Sequence, residues 1–196
     1  SKAGAEMAKA ADALLAALTP EQKAKASFGF ADAERLNWHF IPRARKGLPV
    51  KEMTAEQRAL AHALLATGLS ESGFKKATTV MSLEAILREL EGPNGKMVRD
   101  PELYYFSIFA KPGGTWAWRV EGHHLSFNFT IVDGKFIAGG PAFLGTNPGE
   151  VKDGPRKGLR VLGPDEDLGR QLVKSLDADQ ARLAVYTEKA TADILL

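Results

Sequence analysis

The chain has 196 residues, enough for one well-filled domain and marginal for two, and its 44% hydrophobic and 26% charged residues are the balance of a globular protein and not of a disordered one. A net charge of +2, from 26 basic and 24 acidic residues, argues against a nucleic-acid partner unless the basic residues gather on one face. The nearest cluster, Arg43, Arg45, Lys46 and Lys51, is interrupted by proline and glycine and reads as a solvated loop.

No run approaches the roughly 20 apolar residues of a membrane-spanning helix, so no membrane span is expected. The absence of cysteine excludes disulfides, thiolate metal sites and cysteine nucleophiles, and leaves the compartment open. The start at Ser1, with no methionine and no signal peptide, reads as a processed or engineered end.

In chain order, residues 1–18 carry Met7, Ala10, Ala11, Leu14, Leu15 and Leu18 at helical spacing. A signature then recurs in Leu18-Thr19-Pro20-Glu21-Gln22, Met53-Thr54-Ala55-Glu56-Gln57 and Leu176-Asp177-Ala178-Asp179-Gln180. Thr or Asp caps a free backbone N–H, the early acid suits the helix dipole, and Gln at the third helical position reaches back to the cap. Three helix starts follow. Unequal spacing excludes a solenoid. The second of these helices runs through Leu60, Leu64, Leu65 and Leu69, with His62 at its surface or boundary. Ser82 is expected to cap a further helix bearing Leu83, Ile86, Leu87 and Leu90, closed by Gly92-Pro93.

From Leu103 the period shifts to 2, over residues 103–109, 115–120 and 125–132, and Asp133-Gly134 turns into Lys135-Phe136-Ile137. This predicts a four-stranded antiparallel meander and excludes a parallel doubly wound sheet. Residues 138–165 read as a long Gly/Pro-rich loop, of the kind that is functional or ordered by a neighbour, and no phosphate-binding glycine motif occurs in it. The helix from Asp177 runs to an apolar Ile194-Leu195-Leu196 ending, which implies that a partner chain or further sequence covers it.

Chemistry concentrates in Trp116-Ala117-Trp118-Arg119-Val120-Glu121-Gly122-His123-His124-Leu125-Ser126-Phe127-Asn128. If residues 123–130 are one strand, His123 shares a face with Leu125, Phe127 and Phe129, and His124 heads a polar row of Ser126, Asn128 and Thr130. Adjacent histidines on a strand point apart, so a shared metal needs a bulge or turn at Gly122 and a third ligand. His39 could serve, with Glu84, Glu121 or Asp133 as carboxylates, none at a recognised spacing. Structural histidines, metal ligation and acid–base use are the readings left open. Trp38-His39 before Pro42 is either a loop that closes over a pocket or an aromatic anchor. No G-x-S-x-G marks a serine hydrolase, and no carboxylate spacing marks a glycosidase.

Trp38-His39-Phe40-Ile41-Pro42 with Arg45 and Gly47-Leu48, Leu69-Ser70-x-x-Gly73, Leu83-Glu84, Tyr104, Trp116-x-Trp118-Arg119-x-x-Gly122-His123-His124-Leu125-Ser126-x-Asn128, Pro141-x-Phe143-x-Gly145 and Ala192-Asp193-Ile194-Leu195 together resemble the DUF3500 family. The similarity spans most of residues 30–196, and its Gly-His-His segment is the most specific part. It implies bacterial proteins of unknown function, many exported to the periplasm or beyond, with a cytoplasmic location also open. It makes His39, Arg45, Glu84, Trp118, His123, His124 and Asn128 site candidates. It also implies a longer usual architecture, of which this chain would be a first half, a cleaved piece or a shorter relative.

The expectation is therefore one α+β domain over residues 1–196, with N-terminal and C-terminal capped helices packed on an antiparallel β-meander. A pocket is expected between the His124-Ser126-Asn128 row, the Trp38-His39 loop and the Gly/Pro-rich loop. In it His124, Glu84, Arg45 and Asn128 would act on a small or oligomeric ligand, with Trp38, Trp118 and Ser126 binding it. His39, His123 and His124 would hold a divalent transition metal for hydrolysis. The competing expectation is a non-catalytic module that grips a ligand or partner through Trp116, Trp118, Tyr104 and Tyr105, or a purely structural half of a larger protein.

Overall fold

The computed structural model describes residues 1–189 and has the α+β architecture that the change of period predicts. The chain divides into two compact units, Ser1–Val161 and Leu162–Leu196.

In the first unit, helix α1 (Lys2–Ala17) buries Met7, Ala11 and Leu14, the apolar stripe read from the sequence. Helices α2 (Pro20–Ala26) and α3 (Ala55–Gly68) begin on capping boxes at Thr19/Gln22 and Thr54/Gln57. The two glutamines also bond each other across the fold. Gln22 Nε2 donates to Gln57 Oε1 at 3.0 Å, and Gln57 Nε2 donates to Gln22 Oε1 at 2.8 Å and to the Ala17 carbonyl at 2.8 Å. A motif that only marks helix starts in sequence thus also joins the end of α1 to the starts of α2 and α3.

Helix α4 (Glu71–Glu91) corrects the expected start at Ser82. Ser70 is the cap, accepting from the Gly73 N–H at 3.1 Å, and Ser82 lies mid-helix with its hydroxyl on the Thr79 carbonyl at 2.6 Å. A helical serine can bond back to the preceding turn, so its hydroxyl does not by itself mark a start. The helix buries Ala77, Val80, Met81, Leu83, Glu84 and Leu87, and closes at Gly92 with φ +63°.

The antiparallel meander runs through β3 (Tyr105–Phe109), β4 (Trp116–Gly122), β5 (Leu125–Val132) and β6 (Lys135–Ala138). Three short strands, invisible to a periodicity reading, complete the sheet. They are β1 (Ser27–Phe28), parallel to β3; β2 (Leu48–Pro49), antiparallel to β3; and β7 (Ala142–Leu144), antiparallel to β5. Part of the expected 138–165 loop is therefore strand.

One face of the sheet (Phe106, Ile108, Trp116, Trp118, Val120, Leu125, Phe129 and Ile131) joins Met7, Leu14, Leu64 and Leu65 in the core. The other carries Ser107, Arg119, Glu121, Ser126 and Asn128 at alternate positions, in the register Ser107↔Arg119↔Asn128 and Glu121↔Ser126. These polar residues are buried too.

The second unit holds α5 (Gly163–Ser175) and α6 (Ala178–Ala184), the latter on the expected Asp177/Gln180 capping box. Helix α5 has no side-chain cap at Leu162 and carries Gly169, and its start was signalled only by Pro164 and the first-turn acids Asp165 and Glu166. The Ile194-Leu195-Leu196 ending, the covering partner inferred from it, and the Ala192-Asp193-Ile194-Leu195 motif lie outside the described residues. Among the described residues no helix is long and apolar enough to cross a membrane.

Candidate functional site

The expected strand over 123–130 begins instead at Leu125. Gly122 pairs with Leu125, so His123 and His124 form the two-residue turn between β4 and β5, with His124 at φ +58°. A tight hairpin needs a residue tolerant of positive φ, and histidine is among the few non-glycine residues enriched there. His124 therefore does not head the Ser126-Asn128-Thr130 row.

The turn is clamped on every side. Tyr104 O–H donates to the His123 carbonyl at 2.9 Å, Arg45 Nη2 to the Gly122 carbonyl at 3.2 Å, and Gly145 N–H to the His124 carbonyl at 2.9 Å. His124 N–H donates to the Phe40 carbonyl at 2.8 Å, and the Phe40 ring stacks on Phe143 of β7 at 3.9 Å. A Cβ at Gly122 would stand 2.3 Å from Cδ1 of Tyr104. The glycine before the histidines is there for that close approach.

Across from the turn, α4 presents Glu84, a carboxylate 4% exposed, with its Oε1 2.5 Å from His123 Nδ1. Arg99 Nη1 lies 3.2 Å from the same nitrogen. The guanidinium is already engaged with both Glu91 oxygens through Nε and Nη2, whereas the buried Glu84 carboxylate has this imidazole as its hydrogen-bonding side chain. A buried carboxylate without a donor is costly. The proton therefore belongs on Nδ1, donated to Glu84, which leaves Nε2 as the free ring nitrogen. No described residue hydrogen-bonds Nε2.

His123 and Glu84 line a cleft of about 340 Å³ together with Tyr104, Tyr105, Arg43 and Lys96. Burial pushes the Tyr104 hydroxyl well above its ordinary pKa, so it remains a neutral donor.

The other expected site residues do not converge there. Asn128 donates to Ser126 Oγ at 3.2 Å and to the Pro141 carbonyl at 2.8 Å, and Ser126 is fully buried. The expected wet polar floor is a sealed seam that anchors the segment before β7. Trp38, Trp118 and Asn128 border a separate pocket of about 90 Å³. Trp118 itself stacks on Phe129 at 4.1 Å in the core. The single pocket expected from the sequence is thus divided in two.

Arg45 spends its guanidinium on the backbone, with Nη1 on the Arg43 carbonyl and Nη2 on the carbonyls of His39, Ile41 and Gly122. It braces the turn, in place of the expected grip on an anion. His39 Nδ1 accepts from the Phe40 and Ile41 N–H groups, and its own N–H donates to Glu121 Oε2 at 2.7 Å. These contacts make Trp38-His39-Phe40 an anchor rather than a moving lid. His124 Nδ1 is enclosed with no partner, 2.9 Å from where a Cβ on Gly145 would be. Burial first, and then the neighbouring His123, pull the His124 pKa down to about 4. Among the described residues no group of three or more His, Asp or Glu is placed to hold a metal ion, so the His39, His123 and His124 set is not assembled.

Sequence reasoning passed over Glu34 and took Glu121 only as a possible carboxylate ligand, missing the ion network that holds this framework. Arg119 Nη1 and Nη2 donate to the Glu34 carbonyl and Oε1 at 2.8 and 2.6 Å, and Nη2 lies 3.0 Å from Glu121 Oε1. Glu121 reaches Arg45 Nε at 3.9 Å. Burial raises the Glu121 pKa, against the pull of Arg119, the His39 N–H and Arg45. Two acids and two arginines balance in charge beneath the 33–45 segment. The available signal was charge at Arg119 and Glu121, two apart on an otherwise apolar strand. Arg99 and Glu91 gave none, because their pairing depends on how the chain returns after α4.

A capped-helix and antiparallel-meander domain with a clamped His-His turn is thus defined. The family model described as a protein of unknown function (DUF3500) matches residues 1–196, and the chain belongs to that family. The match extends over the first 29 residues as well, beyond the 30–196 span of the resemblance read from motifs. No curated protein and no solved structure matches it.

Proposed function

We propose that the protein is a histidine-assisted, hydrolase-like enzyme whose working pair is His123 with Glu84, acting on a small or oligomeric ligand held in the cleft beside them. The observation that carries the reading is the 2.5 Å contact between His123 Nδ1 and a buried carboxylate, at the wall of a cleft of ligand size. A carboxylate on Nδ1 fixes the tautomer and offsets the charge that forms when Nε2 takes a proton, as in the His–Asp half of a catalytic triad. Nε2 would remove a proton from water or a substrate hydroxyl and return it to the leaving group. The clamped carbonyls of residues 122–124 keep the ring from drifting, so little reorganisation accompanies each proton transfer. A location outside the cytoplasm belongs to the same proposal and rests on the family resemblance.

The binding-module alternative loses its tryptophan support, because Trp116 and Trp118 lie in the core at 0% and 1% exposure. The test is turnover of a panel of chromogenic esters and glycosides by the wild type, His123→Ala and Glu84→Gln. The proposal expects turnover of at least one compound, reduced about 10²- to 10⁴-fold in His123→Ala, the range of a lost general base. Equal rates in wild type and His123→Ala, or no turnover of any compound, would count against it.

A further inference from the structure

The cleft beside His123 does not end there. It shares Arg45, Leu103 and Tyr105 with a second pocket of about 520 Å³ that continues past Phe28 and Lys46. Both volumes fall in the range of about 300–1,000 Å³ typical of ligand sites. The two pockets adjoin along this shared wall as a two-part groove, with the dyad in the first part.

The charges along this groove do not cancel. Lys25 pairs with Glu52, Lys51 with Asp100, and Arg45 lies beside Glu121. Glu84 accepts from the His123 imidazole and keeps its negative charge at the dyad end. Arg43, Lys46 and Lys96 remain, exposed and with no acidic partner among the described residues. Lys96 and Arg43 flank the pocket of the dyad, and Lys46 lines the second pocket. Between them the wall is aromatic and apolar, with half-buried Tyr105, Phe28 and Leu103.

A ligand that satisfies both features must repeat negative charge along its length and offer flat apolar faces between the charges. A polyphosphate has the charge without the faces, a neutral sugar has the faces without the charge, and a single-stranded nucleic acid, which has both, is disfavoured by a net charge of only +2. A chain of uronic acids has both, because each pyranose lays its C–H face on an aromatic ring while its carboxylate reaches a cation. Resting on the dyad reading above, we propose that the groove binds a linear acidic oligosaccharide, with its reacting linkage at His123 and its further residues running past Tyr105 toward Lys46.

The experiment is calorimetric titration of the full chain with trigalacturonate, maltotriose and tripolyphosphate at low and physiological salt. The inference expects trigalacturonate to bind, maltotriose to bind at least tenfold more weakly, and tripolyphosphate to bind less well than trigalacturonate. Arg43→Ala, Lys46→Ala and Lys96→Ala should each weaken trigalacturonate roughly two- to five-fold, as exposed ion pairs do, and added salt should weaken it further. Equal binding of trigalacturonate and maltotriose, tripolyphosphate binding as tightly as trigalacturonate, or no binding would overturn it. So would charge variants that bind as the wild type does. The same titration of His123→Ala separates the two claims. Trigalacturonate bound by a His123→Ala protein whose turnover equals that of the wild type would remove the dyad reading and keep the groove. No binding, with chromogenic turnover still dependent on His123, would remove the groove and keep the dyad.

Discussion

Arg119→Met removes the centre of the buried ion network while keeping an unbranched side chain of similar length. Arg119 makes two donations to Glu34 and a 3.0 Å contact with Glu121, all at about 1% exposure. Three charge-assisted interactions at roughly 1.5–3 kcal/mol each would give a larger sum than is observed in such cases. Desolvation of the guanidinium is regained on its removal, so breaking a buried pair from one side costs about 3–5 kcal/mol. With a urea m-value of roughly 2 kcal/mol per molar, the midpoint should fall by about 2 M. Trp38, Trp116 and Trp118 all lie in the first unit, so tryptophan fluorescence reads this unit alone. The sign with pH is fixed as well. Burial already raises the folded pKa of Glu121, and losing Arg119 raises it further, so its ionisation opposes folding as pH rises through the ordinary carboxylate range. The deficit of Arg119→Met should be full at pH 7 and shrink toward pH 4.5. A loss under about 1 kcal/mol, or one that stays constant with pH, would refute the reasoning.

Gly122→Ala drives a Cβ to 2.3 Å from the Tyr104 ring and should cost about 2 kcal/mol or more, read by thermal unfolding, and the same substitution made in a Tyr104→Ala background should cost less. His124, neutral in the fold with a pKa near 4 against 6.5 unfolded, makes the fold lose stability as pH falls from about 6.5 to 4. The size is about 1–2 kcal/mol after allowing for its partial exposure, and His124→Asn, which tolerates the positive φ, should flatten that difference in urea titrations across pH. Gln57→Ala should cost about 1–2 kcal/mol, and a double-mutant cycle with Gln22→Ala should show at least about 0.5 kcal/mol of coupling from the paired amides; strict additivity would contradict that link.

The long meander and three capping boxes could be read from the sequence because each is a local pattern repeated over enough residues to be unambiguous. β1, β2 and β7 could not, since two or three residues carry no period and form only where β3 and β5 offer free edges. Ser82 misled because a hydroxyl inside a helix and one at its start look alike in sequence. At the site, Glu84 and His123 were both picked out, and the fold brings them together through α4 and the turn. Reading 123–130 as uninterrupted strand put His124 in the polar row, when the two-residue turn needed a positive φ at that position. Arg45 looked like an anion ligand because its backbone acceptors at residues 39, 41, 43 and 122 converge only in the folded chain.

The central claim is that Glu84 holds the proton of His123 on Nδ1 and leaves Nε2 as the free base. Nitrogen-15 NMR of the imidazoles in labelled protein at pH 8 reads this directly, with assignment by His123→Ala. The account predicts a His123 with its proton on Nδ1, that proton strongly deshielded, and a bare Nε2 whose nitrogen resonates downfield of Nδ1, with the proton deshielding lost in Glu84→Gln. A His123 protonated on Nε2 in the wild type, or a spectrum unchanged by Glu84→Gln, would contradict it.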